Sequence, residues 1–304
     1  MSNIAIVFSG QGSQFVGMGS DFYENDEVSK SLFNRANDVL GYSLSDICFS
    51  GPEETLNLTQ HTQVAIFVLS ACIFERFKNV LTAAYAGHSL GEITAYYAAG
   101  VLDFESALQV VIKRGELMGA AAKQTNGKMS AILGLSQENV IDSIANIHGV
   151  DIANYNSPAQ FVISGSADSV DQANDALRDA GAKRVVELPV SGAFHSPLME
   201  SAVAPFQTYL SEFTFNDASI PIVLNRLAQP ETNGQKLQEN LSHQIQSSVR
   251  WIETVQLLSD TCHRFIEVGP GKVLSGLIKK INRELNVQPT SSLESVDDIL
   301  KVEA

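Results

Sequence analysis

The stretch Ala83-Ala84-Tyr85-Ala86-Gly87-His88-Ser89-Leu90-Gly91 places a G-x-S-x-G motif directly after a short apolar run. We predict a strand over 83–86 and a helix from Ser89 to about Ala99, so the motif falls at a sharp strand-to-helix turn. Such a turn needs small flanking residues, and it forces the serine side chain outward. Free N–H groups at the helix start favour a developing oxyanion. Ser89 is therefore a candidate nucleophile; the alternative is a glycine-rich turn with a capping serine.

Elements on either side of this turn predict an α/β main domain with a hydrolase-like parallel sheet. The apolar run Ile4–Phe8 is typical of a buried parallel strand, and it ends in a glycine-rich loop. Ser196-Pro197 supplies a helix N-cap followed by proline at the first helical position, so a helix should run to about 211. The other predicted elements are helices near 21–36, 60–79, 103–122, 236–246, 251–260 and 272–283, and strands at 220–224 and 264–268.

The segment 124–191 differs in pattern. Its predicted order is strand 129–135, helix 137–146, strands 150–155 and 160–164, helix 168–180 and strand 183–189. This βαββαβ order is typical of a ferredoxin-like unit. We therefore predict a main α/β domain over 1–123 and 192–304, with an inserted ferredoxin-like small subdomain over 124–191 and a cleft at their junction.

Composition limits the classes of function. The 304 residues carry a formal net charge of −14, which argues against binding to nucleic acid or to anionic membranes. The three cysteines show no pairing pattern, and the longest uncharged apolar run, Val64 to Phe74, is too short to span a bilayer. Cys262-His263 lacks a partner pair at zinc-ligand spacing, so no metal site is predicted. We expect a soluble, cytoplasmic protein.

A serine hydroxyl needs a base to remove its proton. Among six histidines, His195 ends the loop Ser191-Gly192-Ala193-Phe194-His195, where the inserted segment returns to the main domain. It also directly precedes a helix cap, which is a rigid place from which to direct an imidazole. His195 is therefore the candidate base, although a lone loop histidine is more often a surface residue. We expect the side chain of His88 to point away from the pocket.

A set of motifs occurs in order along the chain. It consists of Gly10-Gln11-Gly12-Ser13-Gln14, Gly87-His88-Ser89-Leu90-Gly91-Glu92, Arg114, Asn154-Tyr155-Asn156-Ser157-Pro158 with Gln160, Gly192-Ala193-Phe194-His195-Ser196 and Val268-Gly269-Pro270-Gly271-Lys272. Together these motifs closely resemble the malonyl-CoA:acyl carrier protein transacylases, over the chain to about residue 283.

The resemblance implies roles for the catalytic residues. Ser89 would be the acylated nucleophile and His195 its base, in a dyad whose histidine is oriented by the backbone carbonyl of Gln244. The backbone N–H groups of Gln11 and Leu90 would form the oxyanion hole, which suits their positions after the first strand and after the nucleophile.

The resemblance also implies substrate contacts. Arg114 would bind the free malonyl carboxylate, because a planar guanidinium can hold both carboxylate oxygens; from sequence alone, a solvated helix arginine is the simpler interpretation. Phe194 and Met118 would line the acyl pocket, and Asn154 and Gln63 would supply polar contacts. Val64 follows Gln63 where many members of that family have proline.

The implied activity is transfer of malonyl from malonyl-CoA to the phosphopantetheine thiol of acyl carrier protein, through a seryl ester, in fatty-acid synthesis. The partners would be the carrier protein and a coenzyme A thioester, without a metal or redox cofactor, and we expect a monomer. The alternatives are a polyketide-pathway acyltransferase, a serine thioesterase or hydrolase, and a non-catalytic module that binds the carrier.

Overall fold

The computed structural model describes residues 3–190 and 192–303, which form two β-sheets with helices packed around them. The larger sheet has six strands in the order β10-β9-β1-β2-β7-β8, and all neighbours are parallel except β7 and β8. Its strands are β1 (Ile4–Phe8), β2 (Ala84–Gly87), β7 (Ile222–Val223), β8 (Pro230–Glu231), β9 (Arg264–Val268) and β10 (Asn286–Pro289).

The helices outside the small sheet flank this parallel sheet. They are α1 (Ser20–Asn25), α2 (Glu27–Leu40), α3 (Leu44–Ser50), α4 (Glu53–Leu56), α5 (Thr59–Phe77), α6 (Gly91–Ala98), α7 (Phe104–Gln124), a 3-10 turn (Pro197–Met199), α10 (Glu200–Leu210), α11 (Gly234–Gln244), α12 (Trp251–Ser259), α13 (Val273–Ile281) and α14 (Leu293–Glu303).

The core lies on the two faces of the parallel sheet. Strand β1 is buried along its whole length because β2 and β9 pair with its two edges and helices cover both faces. Residues Val64–Phe74, the uncharged apolar run, form the buried interior of α5. Across residues 3–190 and 192–303, no helix combines the length and the apolar content needed to cross a membrane.

The smaller sheet confirms the predicted ferredoxin-like pattern. Its strands β3 (Gly127–Leu133), β4 (Val150–Ser157), β5 (Gln160–Ser166) and β6 (Arg184–Glu187) are antiparallel and lie in the order β4-β5-β3-β6. Helix α8 (Gln137–Ile144) follows the first strand and α9 (Ala167–Asp179) follows the third, as the βαββαβ order requires. The domain limits at 123/124 and 191/192 stay a prediction, and Ser191 lies outside the described residues.

Two predictions about local structure were wrong, and the chain after 283 was left without a prediction. The single helix expected over 21–36 is two helices, because Asp26 is extended and its carboxylate caps α2 by accepting from the N–H of Ser29. The helix expected to begin at Ser89 begins at Gly91, because Ser89 has a positive φ of 53°. The chain after 283, for which we predicted no element, adds β10 to the sheet edge and packs α14 against α5.

Close contact between α6 and β1 makes Gly91 a stability determinant. A Cβ on Gly91 would lie 2.2 Å from the carbonyl oxygen of Phe8, so Gly91→Ala should lower the free energy of unfolding by about 1–3 kcal/mol. Gly119, in α7, has open space at its Cβ position, and Gly119→Ala should raise stability by about 0.5–1 kcal/mol. Urea unfolding of the two variants measures both changes, and equal effects would contradict this packing.

Candidate active site

The turn between β2 and α6 holds Ser89 in a left-handed conformation. Its φ of 53° costs a non-glycine residue about 1–2 kcal/mol, so neighbouring contacts must enforce it. A Cβ on Gly87 would lie 1.9 Å from the carbonyl carbon of Gly91, which shows how tightly the turn closes. The Ser89 N–H donates to Oδ1 of Asn225 at 2.6 Å. The sequence therefore builds the sharp turn that directs the Ser89 hydroxyl into a pocket.

His195 contacts the Ser89 hydroxyl directly. Its Nε2 lies 2.7 Å from Ser89 Oγ, and its Nδ1 lies 3.0 Å from the carbonyl oxygen of Gln244 and 2.9 Å from that of Ser247. Because carbonyl oxygens only accept, Nδ1 carries the proton and Nε2 is free to accept one. The ring is thus held in the tautomer that can deprotonate Ser89.

Burial keeps His195 neutral. Its side chain is almost fully buried, and this burial, together with the nearby positive charge of Arg114, lowers the pKa of His195 to about 3. The carbonyl groups that accept from Nδ1 oppose this shift. The imidazole is therefore available as a base across the physiological pH range.

Arg114 also contacts the Ser89 hydroxyl. It is only 1% exposed, unlike the solvated arginine that sequence alone favoured. Its Nη1 donates to Oε1 of Gln63 at 2.8 Å, and its Nη2 donates to Oε1 of Gln244 at 2.9 Å and to Ser89 Oγ at 3.1 Å. Burial lowers the pKa of Arg114 to about 10, so the group remains charged at pH 7. The side-chain amides of Gln63 and Gln244 orient this cation. Because these amides are neutral, they do not neutralise its charge, which can still attract an anionic ligand.

Two backbone N–H groups near Ser89 are candidates for an oxyanion hole. Within residues 3–190 and 192–303, the N–H groups of Gln11 and Leu90 have no hydrogen-bond acceptor. The loop after β1 approaches the turn closely, since a Cβ on Gly10 would lie 2.2 Å from the carbonyl oxygen of His88. Gln11 lines the same pocket as Ser89, as a residue of an oxyanion hole must.

A small pocket of about 90 Å³ lies at the Ser89 hydroxyl, and Phe194, Met118, Asn154, His195 and Gln11 line it. It shares wall residues with a larger cleft of about 330 Å³. Residues of the smaller sheet, of α13 and of the loops that follow β1 and β2 are among those that line that cleft: Gly10, Gln11, Gly12, Gln14, Asn57, His88, Ala131, Asn154, Asn156, Gln160, Val162, Leu188, Pro189, Val190, Val273, Leu274 and Leu277. The expected cleft at the junction is therefore present.

Two residues are placed differently from the predictions. Gln63 does not line either cavity; it lies behind Arg114, with its amide nitrogen 3.7 Å from Sδ of Met118. His88 lines both cavities instead of pointing away, because its Nε2 lies 2.8 Å from Oδ1 of Asn156 on the small sheet. This contact joins the turn to the small sheet.

Three residues support the site in ways that were not predicted from the sequence. Asn225 holds the turn, Glu92 accepts from the N–H of Asn225 at 2.6 Å, and the Ser247 carbonyl oxygen accepts from His195. A signal existed for two of them: Asn225 is a polar residue just after a buried strand, and Glu92 is an acidic residue in the first turn of a buried helix. Ser247 acts through its backbone, which no side-chain pattern reveals.

No cluster of three or more His, Cys, Asp or Glu side chains that could hold a metal ion occurs in the part of the chain that the structure describes. Cys262 is buried, and its neighbour His263 lies at the start of β9, far along the strand from the Ser89 turn. The functional groups that contact the Ser89 hydroxyl are an imidazole and a guanidinium.

Known proteins resemble this chain over nearly its whole length. The model of the acyl transferase domain family matches residues 5–299. The malonyl CoA-acyl carrier protein transacylase of Bacillus subtilis (strain 168) is 41% identical, and the alignment covers 98% of this chain and 96% of that protein. The corresponding enzyme of Staphylococcus aureus (strain MRSA252) is 39% identical, with 97% of this chain and 98% of that protein covered.

Solved structures give the same result. The acyl carrier protein S-malonyltransferase of Vibrio cholerae superposes with a TM-score of 0.94 at 40% identity, and the match covers 98% of this chain and 100% of that one. A malonyl-transacylase solved in complex with its type II PKS acyl-carrier protein matches with a TM-score of 0.95 at 36% identity, covering 99% and 100%. These structures have the same arrangement of a parallel sheet and a small antiparallel sheet.

The low pKa of His195 predicts an unusual pH dependence for Ser89 reactivity. Since the base stays neutral down to a pH near 3, the rate of Ser89 modification by phenylmethanesulfonyl fluoride should stay flat from pH 8 to pH 5. Intact mass spectrometry measures this rate. Burial raises the pKa of Glu92 to about 7, so a parallel series with Glu92→Gln removes its titration. A decline centred near pH 6.5 in both series would show that His195 is solvated.

Proposed function

Because the chain belongs to the acyl transferase domain family, among the malonyl CoA-acyl carrier protein transacylases, we propose that it transfers malonyl from malonyl-CoA to the phosphopantetheine thiol of acyl carrier protein in fatty-acid biosynthesis. The enzyme is an acyltransferase. The observation that carries the proposal is the convergence on Ser89 Oγ of His195 Nε2 at 2.7 Å and Arg114 Nη2 at 3.1 Å. A candidate base and a cation thus both contact the candidate nucleophile.

The first half of the reaction forms a seryl ester. His195 Nε2 takes the Ser89 hydroxyl proton as Oγ attacks the thioester carbon, and the negative charge that forms on the carbonyl oxygen is stabilised by the N–H groups of Gln11 and Leu90. The carbon–sulfur bond then breaks, and the imidazolium returns its proton to the leaving coenzyme A sulfur. Malonyl remains on Ser89 as an ester.

The second half repeats these steps with a different nucleophile. His195 takes the proton of the pantetheine thiol as its sulfur attacks the ester carbon, and the same two N–H groups stabilise the charge. The carbon–oxygen bond breaks, and Ser89 recovers its proton from the imidazolium. Both thiols would reach the pocket through the larger cleft, whose walls combine apolar side chains with the polar groups of Asn154 and Asn156.

Arg114 explains the preference for malonyl. The guanidinium is fixed beside Ser89 Oγ, so the free carboxylate of a malonyl group on Ser89 lies within its reach. A charge-assisted hydrogen bond of this kind contributes about 1.5–3 kcal/mol. Phe194 and Met118 form apolar walls that limit the size of the acyl group.

The binding partner, the oligomeric state and the cellular location are inferred from the sequence and from the relatives. The partner would be an acyl carrier protein, since the relatives are transferases to such carriers and one of them was solved bound to its carrier. The scheme needs no metal or redox cofactor. A monomeric state, a cytoplasmic location and the lack of nucleic-acid or membrane partners stay predictions.

A carrier of polyketide synthesis is a second candidate for the acceptor. The match to a malonyl-transacylase in complex with a type II PKS acyl-carrier protein favours it, because that complex has the same fold at 36% identity. The chemistry at Ser89 is the same for both carriers, so side-by-side transfer assays with the two carrier classes distinguish them. A thioesterase or hydrolase is less well supported, since the relatives that match over nearly the whole chain are named as transferases to a carrier protein.

Acylation of Ser89 can be observed directly. Mixing the enzyme with malonyl-CoA should add one malonyl group in intact mass spectrometry, and Ser89→Ala should add none because, among the residues that the structure describes, no other hydroxyl contacts His195 Nε2. Adding pantetheinylated carrier should discharge the ester onto the carrier. Discharge to free malonate at the same rate without carrier would instead identify a hydrolase, and full transfer by Ser89→Ala would identify a carrier-binding module.

Selectivity tests the role of Arg114. Arg114→Ala should slow acylation by malonyl-CoA at least tenfold more than acylation by acetyl-CoA, because only malonyl loses a contact worth about 1.5–3 kcal/mol. Rapid-quench mass spectrometry with each thioester measures the two rates. Lys113→Ala is the matched control, since Lys113 neighbours Arg114 on α7 but pairs with Glu116 at the surface. Equal losses for both thioesters would contradict the carboxylate contact.

A further inference from the structure

We propose that Asn225 is the positioning residue for the nucleophile turn and its oxyanion hole, and that Glu92 holds Asn225 in place. The inference rests on the proposed function, in which Ser89 is acylated. Asn225 is fully buried just beyond β7, the strand that pairs with β2. It touches no part of the two cavities, so it acts on the reaction only through the turn.

The side-chain amide of Asn225 holds both ends of the turn. Its Oδ1 accepts from the Ser89 N–H at 2.6 Å, and its Nδ2 donates to the Gly87 carbonyl oxygen at 2.5 Å. The β2–β7 ladder ends at the pair Ala86 and Val223. The side-chain amide of Asn225 adds two hydrogen bonds beyond the end of this ladder, to Gly87 and Ser89. Ser89 is left-handed and cannot pair with a regular strand.

These two bonds determine which N–H group is left for the substrate. The first N–H groups of a helix have no partner within the helix. Here Gly91 donates to the His88 carbonyl oxygen at 3.0 Å, and Ser89 donates to Asn225. The Leu90 N–H has no acceptor within residues 3–190 and 192–303. By fixing the peptide on the N-terminal side of Ser89, Asn225 fixes the direction of the next N–H, which is the oxyanion donor.

Glu92 holds the backbone of Asn225. Its Oε2 accepts from the Asn225 N–H at 2.6 Å, and its Oε1 accepts from Asn240 Nδ2 at 2.9 Å and from the Tyr96 hydroxyl at 3.2 Å. The Asn225 carbonyl oxygen accepts from the N–H of Arg250. Every polar group of Asn225 is therefore bonded. Because Glu92 lies on α6, the helix that follows Ser89 is tied to the same asparagine that holds the turn.

The test compares the rate of Ser89 acylation by malonyl-CoA per titrated active site. Asn225→Ala should lower this rate constant at least thirtyfold, because the freed turn misdirects both Ser89 Oγ and the Leu90 N–H. The Kd of malonyl-CoA, compared between Ser89→Ala and the Ser89→Ala, Asn225→Ala double variant, should change less than threefold. A residue that only stabilised the fold would lower the number of titrated sites and leave the rate per site unchanged.

Two further variants complete the experiment. Asn225→Asp keeps the acceptor for the Ser89 N–H and loses the donor to Gly87, so its rate per site should lie between those of Asn225→Ala and the unmodified enzyme. Asn174→Ala is the matched control, because Asn174 is a buried asparagine of α9 in the smaller sheet's layer. It should keep the unmodified rate per site.

The outcomes separate this inference from the proposed function. If the unmodified enzyme is not acylated by malonyl-CoA, the proposed function is wrong. If it is acylated and Asn225→Ala reacts within threefold of its rate per site, the positioning role is wrong. Should Asn225→Ala not fold, an Asn225→Asp rate within twofold of the unmodified enzyme overturns the role. An equal loss in Asn174→Ala would also overturn it.

Discussion

The site depends on one backbone constraint, the left-handed conformation of Ser89 between a buried strand and a buried helix. This conformation is unfavourable for a residue with a side chain, and it persists because α6 lies almost in contact with the end of β1. Gly87 and Gly91 permit that approach, and Asn225 bonds to the backbone on both sides of the serine. The turn thus holds Ser89 in a strained backbone conformation. This conformation fixes the direction of the Ser89 hydroxyl and of the Leu90 N–H.

His195 has a related backbone geometry on the opposite side of the pocket. Its φ of 57° is also left-handed, and its backbone N–H donates to the carbonyl oxygen of Ile245. Its ring is held by the carbonyl oxygens of Gln244 and Ser247, at the end of α11. Gln244 contacts Arg114 and Ser89 as well as His195. Its side chain accepts a hydrogen bond from Arg114 and donates one to the Ser89 carbonyl oxygen. Neutral groups therefore align both the base and the cation, and no carboxylate is required beside the imidazole.

Much of the fold could be read from the sequence, because strands such as Ile4–Phe8 and the βαββαβ order have strong local patterns. The turn motif likewise located Ser89 without any tertiary information. What the sequence could not supply were features that depend on contacts between distant segments. The break at Asp26, the burial of Arg114 and the contact of His88 with Asn156 all arise from tertiary packing. Asn225 and Glu92 were missed for the same reason, since their partners are more than 130 positions away.

The arrangement around Arg114 also affects how the pocket treats a wrong substrate. Its guanidinium is oriented by amide oxygens of Gln63 and Gln244, and its hydrogen bonds to these residues and to Ser89 involve no carboxylate. An uncharged acyl chain bound beside Arg114 would exclude water from the guanidinium and would supply no negative charge to replace that hydration. Discrimination then includes a desolvation penalty against neutral chains as well as an attraction for a dicarboxylate half-ester. Small free dicarboxylates, which carry no thioester, are therefore expected to compete for the site.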